Sequence, residues 1–352
     1  MQRLPLETQT IYAELLERLT ALDAHRSIGR APGSFVAKTV KGQHYWYFQH
    51  SEPGGVQRQI YVGCKDAALD RVVTRYREDR AARRDDTAAV ERLCAILRAG
   101  GALMTDTPSA RVLKALADAG IFHLGGVLVG THAFVVLGNL LGASWSGAAL
   151  RTLDIDLAAR PALDIALPHL EGDLPGVLDQ LEMGFLPVPP LDPRLPSTSF
   201  KVRGAGLRVD LLTTLSGRRK TGPVPIPRLR AAAQPLPFLD FLLERPVRGA
   251  VVNGGGVLVN IPDPARFALH KLIVAGERAA FMHTKREKDL HQAAQLLALL
   301  AQERPGDIGV AWDEIKRRGR GWQRRITSGL SALGSIDRDT AAAVKTLLQR
   351  GD

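Results

Sequence analysis

The stretch TLDIDLA, residues 152–158, sets two aspartates one residue apart inside an apolar run. Acidic residues are depleted in strands and costly to bury unpaired. Side chains alternate faces along a strand, so Leu153, Ile155 and Leu157 share one face and Asp154 and Asp156 the other. Same-face neighbours lie about 7 Å apart, close enough for both carboxylates to reach one hard cation or a pair of them. The later segment LRVDLL, residues 207–212, repeats the pattern: Leu207, Val209 and Leu211 face one way, Arg208 and Asp210 the other. If the two strands are neighbours in one sheet, Asp210 joins Asp154 and Asp156. Three clustered carboxylates repel unless a cation neutralises them, and an all-oxygen donor set suits Mg²⁺ or Mn²⁺ rather than zinc. A solvated sheet face or a helix cap is the plainer account of a lone D-x-D.

The 352 residues carry 47 Lys and Arg against 36 Asp and Glu, a net charge of +11. That balance favours an anionic partner such as nucleic acid or a polyphosphate. No apolar run approaches the roughly 20 residues that span a bilayer, so no membrane partner is expected. The N-terminus, MQRLPLETQTIYAELLERL, has the pattern of a polar amphipathic helix rather than a signal peptide. A cytoplasmic location follows as an expectation, with Cys64 and Cys94 as free thiols.

Leucines and isoleucines at helical spacing predict a helix over 5–24. Three runs rich in β-branched and aromatic residues (35–40, 44–50 and 56–62), separated by glycine-containing turns, predict a three-stranded antiparallel meander. On its middle strand Tyr45, Tyr47 and Gln49 fall on one face and Trp46, Phe48 and His50 on the other. One face must pack on helices; the other, with Lys38, Lys41 and Arg58 nearby, either clamps nucleic acid or joins a small aromatic core. All five tyrosines precede residue 77. A charged helix follows over 66–100. From about residue 109 the pattern becomes helix, apolar strand (FHLGGVLVG), helix (THAFVVLGNLLG) and the D-x-D strand. A short helix over 174–183, the Pro-rich loop FLPVPPLDPRLP, a hairpin turning at 204–206, further loop and the strand GVLVNIP come next. Helices are expected over 264–279, 284–302, 308–330 and 337–349. The expected division is an N-terminal α+β module (1–104) that takes part in acceptor binding, a mixed-sheet α/β (α+β) catalytic domain (105–262), and a helical region (263–352) that completes the nucleotide cleft.

A helix-opening Gly-Thr (Val129-Gly130-Thr131), D-h-D on a strand (Asp154-Ile155-Asp156) and h-D-h on a later strand (Val209-Asp210-Leu211) together resemble the signature of the polymerase-β-like nucleotidyltransferase superfamily. A bacterial nucleotidyltransferase family of poorly known role is closer still. Its motifs are matched by Arg151-Thr152-Leu153-Asp154-Ile155-Asp156, Val209-Asp210-Leu211-Leu212-Thr213, His270-Lys271-Leu272-Ile273-Val274-Ala275, and Lys285 with Lys288-Asp289-Leu290-His291-Gln292-Ala293. The resemblance covers about residues 105–300. Superfamily members usually carry Gly-Ser or Gly-Gly where Gly130-Thr131 stands; threonine keeps the hydroxyl.

The resemblance implies in-line transfer of a nucleoside monophosphate from a triphosphate to an acceptor hydroxyl, with pyrophosphate leaving. Two metal ions, Mg²⁺ or Mn²⁺, stabilise both ends of such a displacement. Asp154, Asp156 and Asp210 are the implied metal ligands and catalytic residues. Gly130 and Thr131 are placed at the phosphates, and no P-loop motif competes with them. Arg151, Thr152, Lys271, Lys285 and Lys288 are candidate nucleotide contacts, with solvated surface roles open for Arg151 and Lys271. Asp289 either orients a lysine or caps the fold through a buried pair, the structural role being the expectation, and His270 is expected to be a core histidine. Arg218, Arg219 and Lys220 follow the Asp210 strand and are expected at the cleft mouth, against the acceptor. RNA, tRNA in particular, is the favoured acceptor, on net charge and on analogy with toxin-like nucleotidyltransferases. A small molecule such as an antibiotic, or a protein hydroxyl, is the alternative; a non-catalytic nucleic-acid-binding protein of the same fold is another. The basic segment IKRRGRGWQRR, around Trp322, is either a solvated helix face or a phosphate-backbone contact.

Overall fold

The computed structural model describes residues 1–26, 34–40, 42–51, 57–147, 150, 152–160, 172–215, 222–278 and 282–350. After a short strand β1 (Gln2–Arg3) comes helix α1 (Leu6–Arg26), then a three-stranded antiparallel sheet of β2 (Ser34–Val40), β3 (Gln43–Ser51) and β4 (Gln57–Cys64). Helix α2 (Ala67–Ala99) follows, capped by Asp66, which accepts from the Leu69 amide. One face of the small sheet closes on α2: Phe35 and Phe48 meet Tyr76, Trp46 packs edge-on against Phe35, and Trp46 Nε1 donates to Asp70 at 2.7 Å. The aromatic core expected of this module thus occupies one face, and the tyrosine face points away from it.

Next come α3 (Thr107–Asp118), β5 (Val127–Val129), α4 (Gly130–Leu140), β6 (Ala143–Ser144, paired with β1) and β7 (Asp154–Ala158). The strand expected across FHLGGVLVG is confined to its last residues. Gly120 and Gly125, both at positive φ, turn the chain before it. Helix α5 (Leu174–Gln180), β8 (Phe185–Pro187), β9 (Ser199–Val202) and β10 (Arg208–Thr214) lead to a region expected as loop. That region contains β11 (Val224–Ile226), β12 (Ala231–Leu236), α6 (Leu239–Leu242) and β13 (Val247–Val251), which pairs with β14 (Val257–Ile261).

The main sheet is mixed, in the order β11-β12-β10-β7-β5, with β9 on β10 and β8 on β9. Residues 208–212 of β10 run parallel to the whole of β7, so the two acidic strands are direct neighbours. Ile155, Leu157, Val209 and Leu211 are buried, which fixes the register, because a one-residue slip would turn this set to the other face. The chain ends in α7 (Pro264–Glu277), α8 (His283–Glu303), α9 (Pro305–Arg317), α10 (Arg320–Leu333) and α11 (Arg338–Arg350).

Two corrections concern this helical region. The single helix expected over 308–330 is two, broken at Arg318-Gly319, with Gly319 at φ 96°. Trp322 does not stand among solvated arginines. It packs edge-on against Phe238 and Phe241, and the Arg318 guanidinium lies over its ring. Arg318 is also tied to Asp240 and Glu244, so this arginine is part of the interior. A second, smaller core joins α1 and α2 to β13, with Tyr12 Oη donating to the Ala250 carbonyl and accepting from its amide.

Candidate active site

The ladder builds the site. β7 and β10 set Asp154 beside Arg208 and Asp156 beside Asp210. On the other edge of β7, antiparallel β5 places Val129 opposite Asp156. The chain turns into α4 at the next residue, so the helix N-terminus lands on the Asp156 carboxylate. Gly130 is at φ 67°, and a Cβ there would come within 2.1 Å of Asp156 Oδ2. Gly130→Ala therefore adds a left-handed backbone strain of roughly 1–2 kcal/mol to a collision with the central carboxylate. The expected outcome is loss of activity with a lowered melting temperature, checked by transfer assay and calorimetry.

Among the described residues no side chain hydrogen-bonds to the Asp156 carboxylate. Burial first, and then the charge of Asp210, push its pKa up to about 7; Lys271 and Lys285 pull the other way. Asp210 is held by Arg208 Nε at 2.7 Å, and the same nitrogen reaches Ser199 Oγ at 2.7 Å. Asp154 sits exposed at the start of β7, where the Thr152 hydroxyl accepts from its amide. Thr152 thus ties down the strand entrance.

Two hollows flank the D-x-D. One is a cavity of about 520 Å³ on the Asp156 side, walled by Gly130, Leu236, Phe238, Leu239, Leu242, Phe267, Val274 and Met282, with Asp156, Lys271, Glu277, Arg278 and Asp289 as its charged groups. Its size and apolar lining are typical of small-ligand sites. Lys271 Nζ and Arg278 Nε both donate to the buried Asp289, at 2.7 and 2.6 Å. Burial alone would raise Asp289, but the two cations outweigh it and hold the carboxyl below its usual range. His270 lies in the same wall, and burial drops it to about 3, so it is neutral. The other hollow, an open cleft of about 670 Å³, lies on the Asp154 side and is lined by Asp106, His132, Thr152, Asp154, Gly206 and Lys288. Burial lowers His132 to about 4, and its Nε2 is buried with no hydrogen-bond partner among the described residues. Burial and the charge of Lys271 lower the pKa of Lys288, against the pull of Asp289, Asp154 and Asp156.

The structure thus brings Gly130, Asp156 and Lys271 to one hollow and Thr152, Asp154 and Lys288 to the other, with Asp210 beside Asp156 on the ladder, and with Lys285 exposed on α8 and felt by Asp156 through its charge. Thr131 is buried and accepts a long hydrogen bond from Gln292 of α8, so its hydroxyl is partly engaged. Arg151, Arg218, Arg219 and Lys220 lie outside the described residues. Arg278, His132 and Asp106 were missed in the sequence. His132 lies two residues beyond Gly130, and that proximity was a usable signal; Arg278 had none.

The donor chemistry fits a hard divalent cation. Two carboxylates stand side by side, and a cation would offset the burial and the Asp210 charge that together raise Asp156. Among the described residues, however, no three His, Cys, Asp or Glu side chains converge closely enough to ligate one ion, and the Arg208 guanidinium lies on Asp210.

A nucleotidyltransferase family model matches residues 107–317. The chain belongs to the nucleotidyltransferase family. The matched segment contains both acidic strands, the α4 entrance and helices α7 and α8. No curated protein matches the chain. Among solved structures, it is similar to an antigenic nucleotidyltransferase-like protein from Paracoccidioides brasiliensis, at 15% identity and a TM-score of 0.35, over 69% of this chain and 94% of that one. A likeness this distant says nothing about which residues act. No described helix of this nucleotidyltransferase is long and apolar enough to cross a membrane.

Proposed function

We propose that this nucleotidyltransferase moves a nucleoside monophosphate from a nucleoside triphosphate to an acceptor hydroxyl, with a divalent metal, Mg²⁺ or Mn²⁺. The observation that carries the reading is the Asp156–Asp210 pair, set in register on parallel strands under the N-terminus of α4. Asp154 and Asp156 would hold one metal ion and Asp156 with Asp210 a second, so that neither needs three carboxylates; bound there, the ions would neutralise charge on the attacking and leaving oxygens. The α4 amides and Gly130 receive the phosphates, favoured by the helix dipole. Lys271, Lys285, Lys288 and Arg278 offset their charge, and the apolar cavity beside Phe238 and Val274 takes the base. The acceptor O–H enters from the Asp154 cleft. Its oxygen bonds to the α-phosphorus as the bond to pyrophosphate breaks, and Asp210, oriented by Arg208, takes up the proton.

We place the acceptor in the RNA class, on the +11 charge, with residues 1–104 as an acceptor-binding module, 105–262 as the catalytic domain and 263–352 as the region closing the nucleotide cleft. One observation favours a small cationic acceptor instead: Asp106 and Asp154 both line the open cleft. The test is incubation with each α-labelled nucleoside triphosphate, Mg²⁺ or Mn²⁺, and separately total RNA, protein or small polycations. Label in RNA is expected. Label confined to the small-molecule or protein fraction overturns the RNA acceptor, and no label in any fraction overturns metal-dependent transfer. In the same preparation, Lys271→Ala should weaken the thermal stabilisation given by Mg²⁺ and triphosphate. An undiminished shift would remove Lys271 from the nucleotide site.

A further inference from the structure

The face of the small N-terminal sheet turned away from α2 carries three tyrosines in one cluster. Tyr47 lies opposite Tyr61 across the β3–β4 ladder, with ring centroids 5.6 Å apart. Tyr45, two residues before Tyr47 and so on the same face, is 5.8 Å from Tyr61. Lys38 holds its ammonium 5.2 Å from the Tyr47 ring. Gln49 and Gln59 are joined on the same face. Among the described residues every ring contact of these tyrosines stays within the sheet, and Tyr61 is 54% exposed.

The face is not needed for the module's own core, which lies on the opposite side with Phe35, Trp46, Phe48 and Tyr76. Among the described residues this face carries one cation, Lys38, and no carboxylate; Arg58 pairs with His50 and so lies on the opposite face. Flat rings, side-chain amides and a cation held over a ring suit a polyanion whose bases are unstacked. Single strands offer that and duplexes do not, because duplex bases are buried in their own stack. A protein partner or a lipid surface would call for aliphatic area, and the amides and hydroxyls here supply little of it.

We propose that the Tyr45–Tyr47–Tyr61 face binds single-stranded RNA, stacking bases on the rings while Lys38 meets the backbone. The proposal rests on the RNA-acceptor reading and gives it a location: the strand that carries the acceptor hydroxyl is gripped by the N-terminal sheet.

The test uses the full chain and a fluorescent 12-nucleotide single-stranded RNA, with the same sequence as a duplex and as DNA, at several salt concentrations. The wild type is expected to bind the single strand more tightly than the duplex. Tyr47→Ala and Tyr61→Ala should each weaken binding about five- to a hundredfold, and Tyr47→Phe should bind as the wild type because the ring remains. Lys38→Ala should lower the salt slope by about one. These are surface positions, so each variant should keep the wild-type thermal shift with Mg²⁺ and triphosphate. Equal affinity in wild type and both alanine variants overturns the proposal, as does preference for the duplex. So does a dimer that the tyrosine variants abolish, which would make the face a contact between two copies. Equal affinity for DNA would widen the ligand to any single strand and overturn the RNA assignment. The two readings fail separately. If the variants lose RNA affinity but RNA is never labelled, the face stands and the acceptor assignment falls. If RNA is labelled equally by wild type and variants, the acceptor stands and the face falls.

Discussion

Asp156→Asn is expected to abolish nucleotidyl transfer and, at pH 8 in the presence of a chelator, to raise the melting temperature by a few degrees. The loss follows from the position of the side chain at the centre of the site, against the α4 entrance and beside Asp210. The gain follows from linkage. The folded protein holds this carboxyl near 7, and the unfolded chain near 3.8. Below about pH 4 both states are protonated and the group costs nothing. Between pH 4 and 7 the unfolded chain releases its proton while the folded one retains it, so folding stability falls. Above 7 the whole cost is present. The difference between 3.8 and about 7 corresponds to an upper bound of about 4 kcal/mol, which relaxation around the cleft reduces. Asparagine never ionises, so its advantage should grow from pH 4 to 7 and then level off. Added Mg²⁺ should stabilise the wild type alone and narrow the gap. Calorimetry across pH 4–9 checks this. Identical melting temperatures at pH 8 would mean that Asp156 carries no such strain.

The two acidic strands were legible because the period of two is a local signal and their apolar partners, Ile155, Leu157, Val209 and Leu211, leave only one way round. Their adjacency could be stated only as a condition, and β10 meets it by running parallel to β7. The stretch between β10 and β14 was not legible. Pro225 and Pro235 argue against strands, since proline lacks a ladder donor, yet both lie in strands, with β11 at the sheet edge. The α9–α10 break rests on Gly319, but a lone glycine in a helical pattern is ordinarily tolerated. What ends the helix is tertiary: Arg318 is drawn to Asp240, Glu244 and the Phe241 ring, all distant in the chain. At the site, the apolar cavity and the Arg208 grip on Asp210 depend on how separated segments meet. Arg208 was visible on the right face, but its hydrogen bond was not. Asp289 was expected to be structural; its two cations show that it also sets the positions of groups lining the cavity.

Asp289→Asn is expected to cost about 3–5 kcal/mol of stability, the usual penalty for breaking a buried ion pair from one side. Asp289 is 3% exposed and is shared by Lys271 and Arg278. Removing its charge leaves two cations facing each other at the cavity wall, and asparagine can accept from only one of them well. Because Lys271 and Arg278 hold the Asp289 carboxyl below its usual range, its contribution is present above the unfolded value of 3.8 and lost as pH falls through the folded one. The wild-type advantage should therefore be full at pH 7 and vanish in strong acid. The variant should also respond more to anions. With Asp289 neutral, inorganic pyrophosphate meets two uncompensated cations, so it should raise the variant's melting temperature by more than the wild type's. A variant as stable as the wild type at pH 7 would show that solvent already screens the triad. A large loss of stability with no added pyrophosphate response would show that Lys271 and Arg278 brace the α7–α8 packing and do not reach the phosphates.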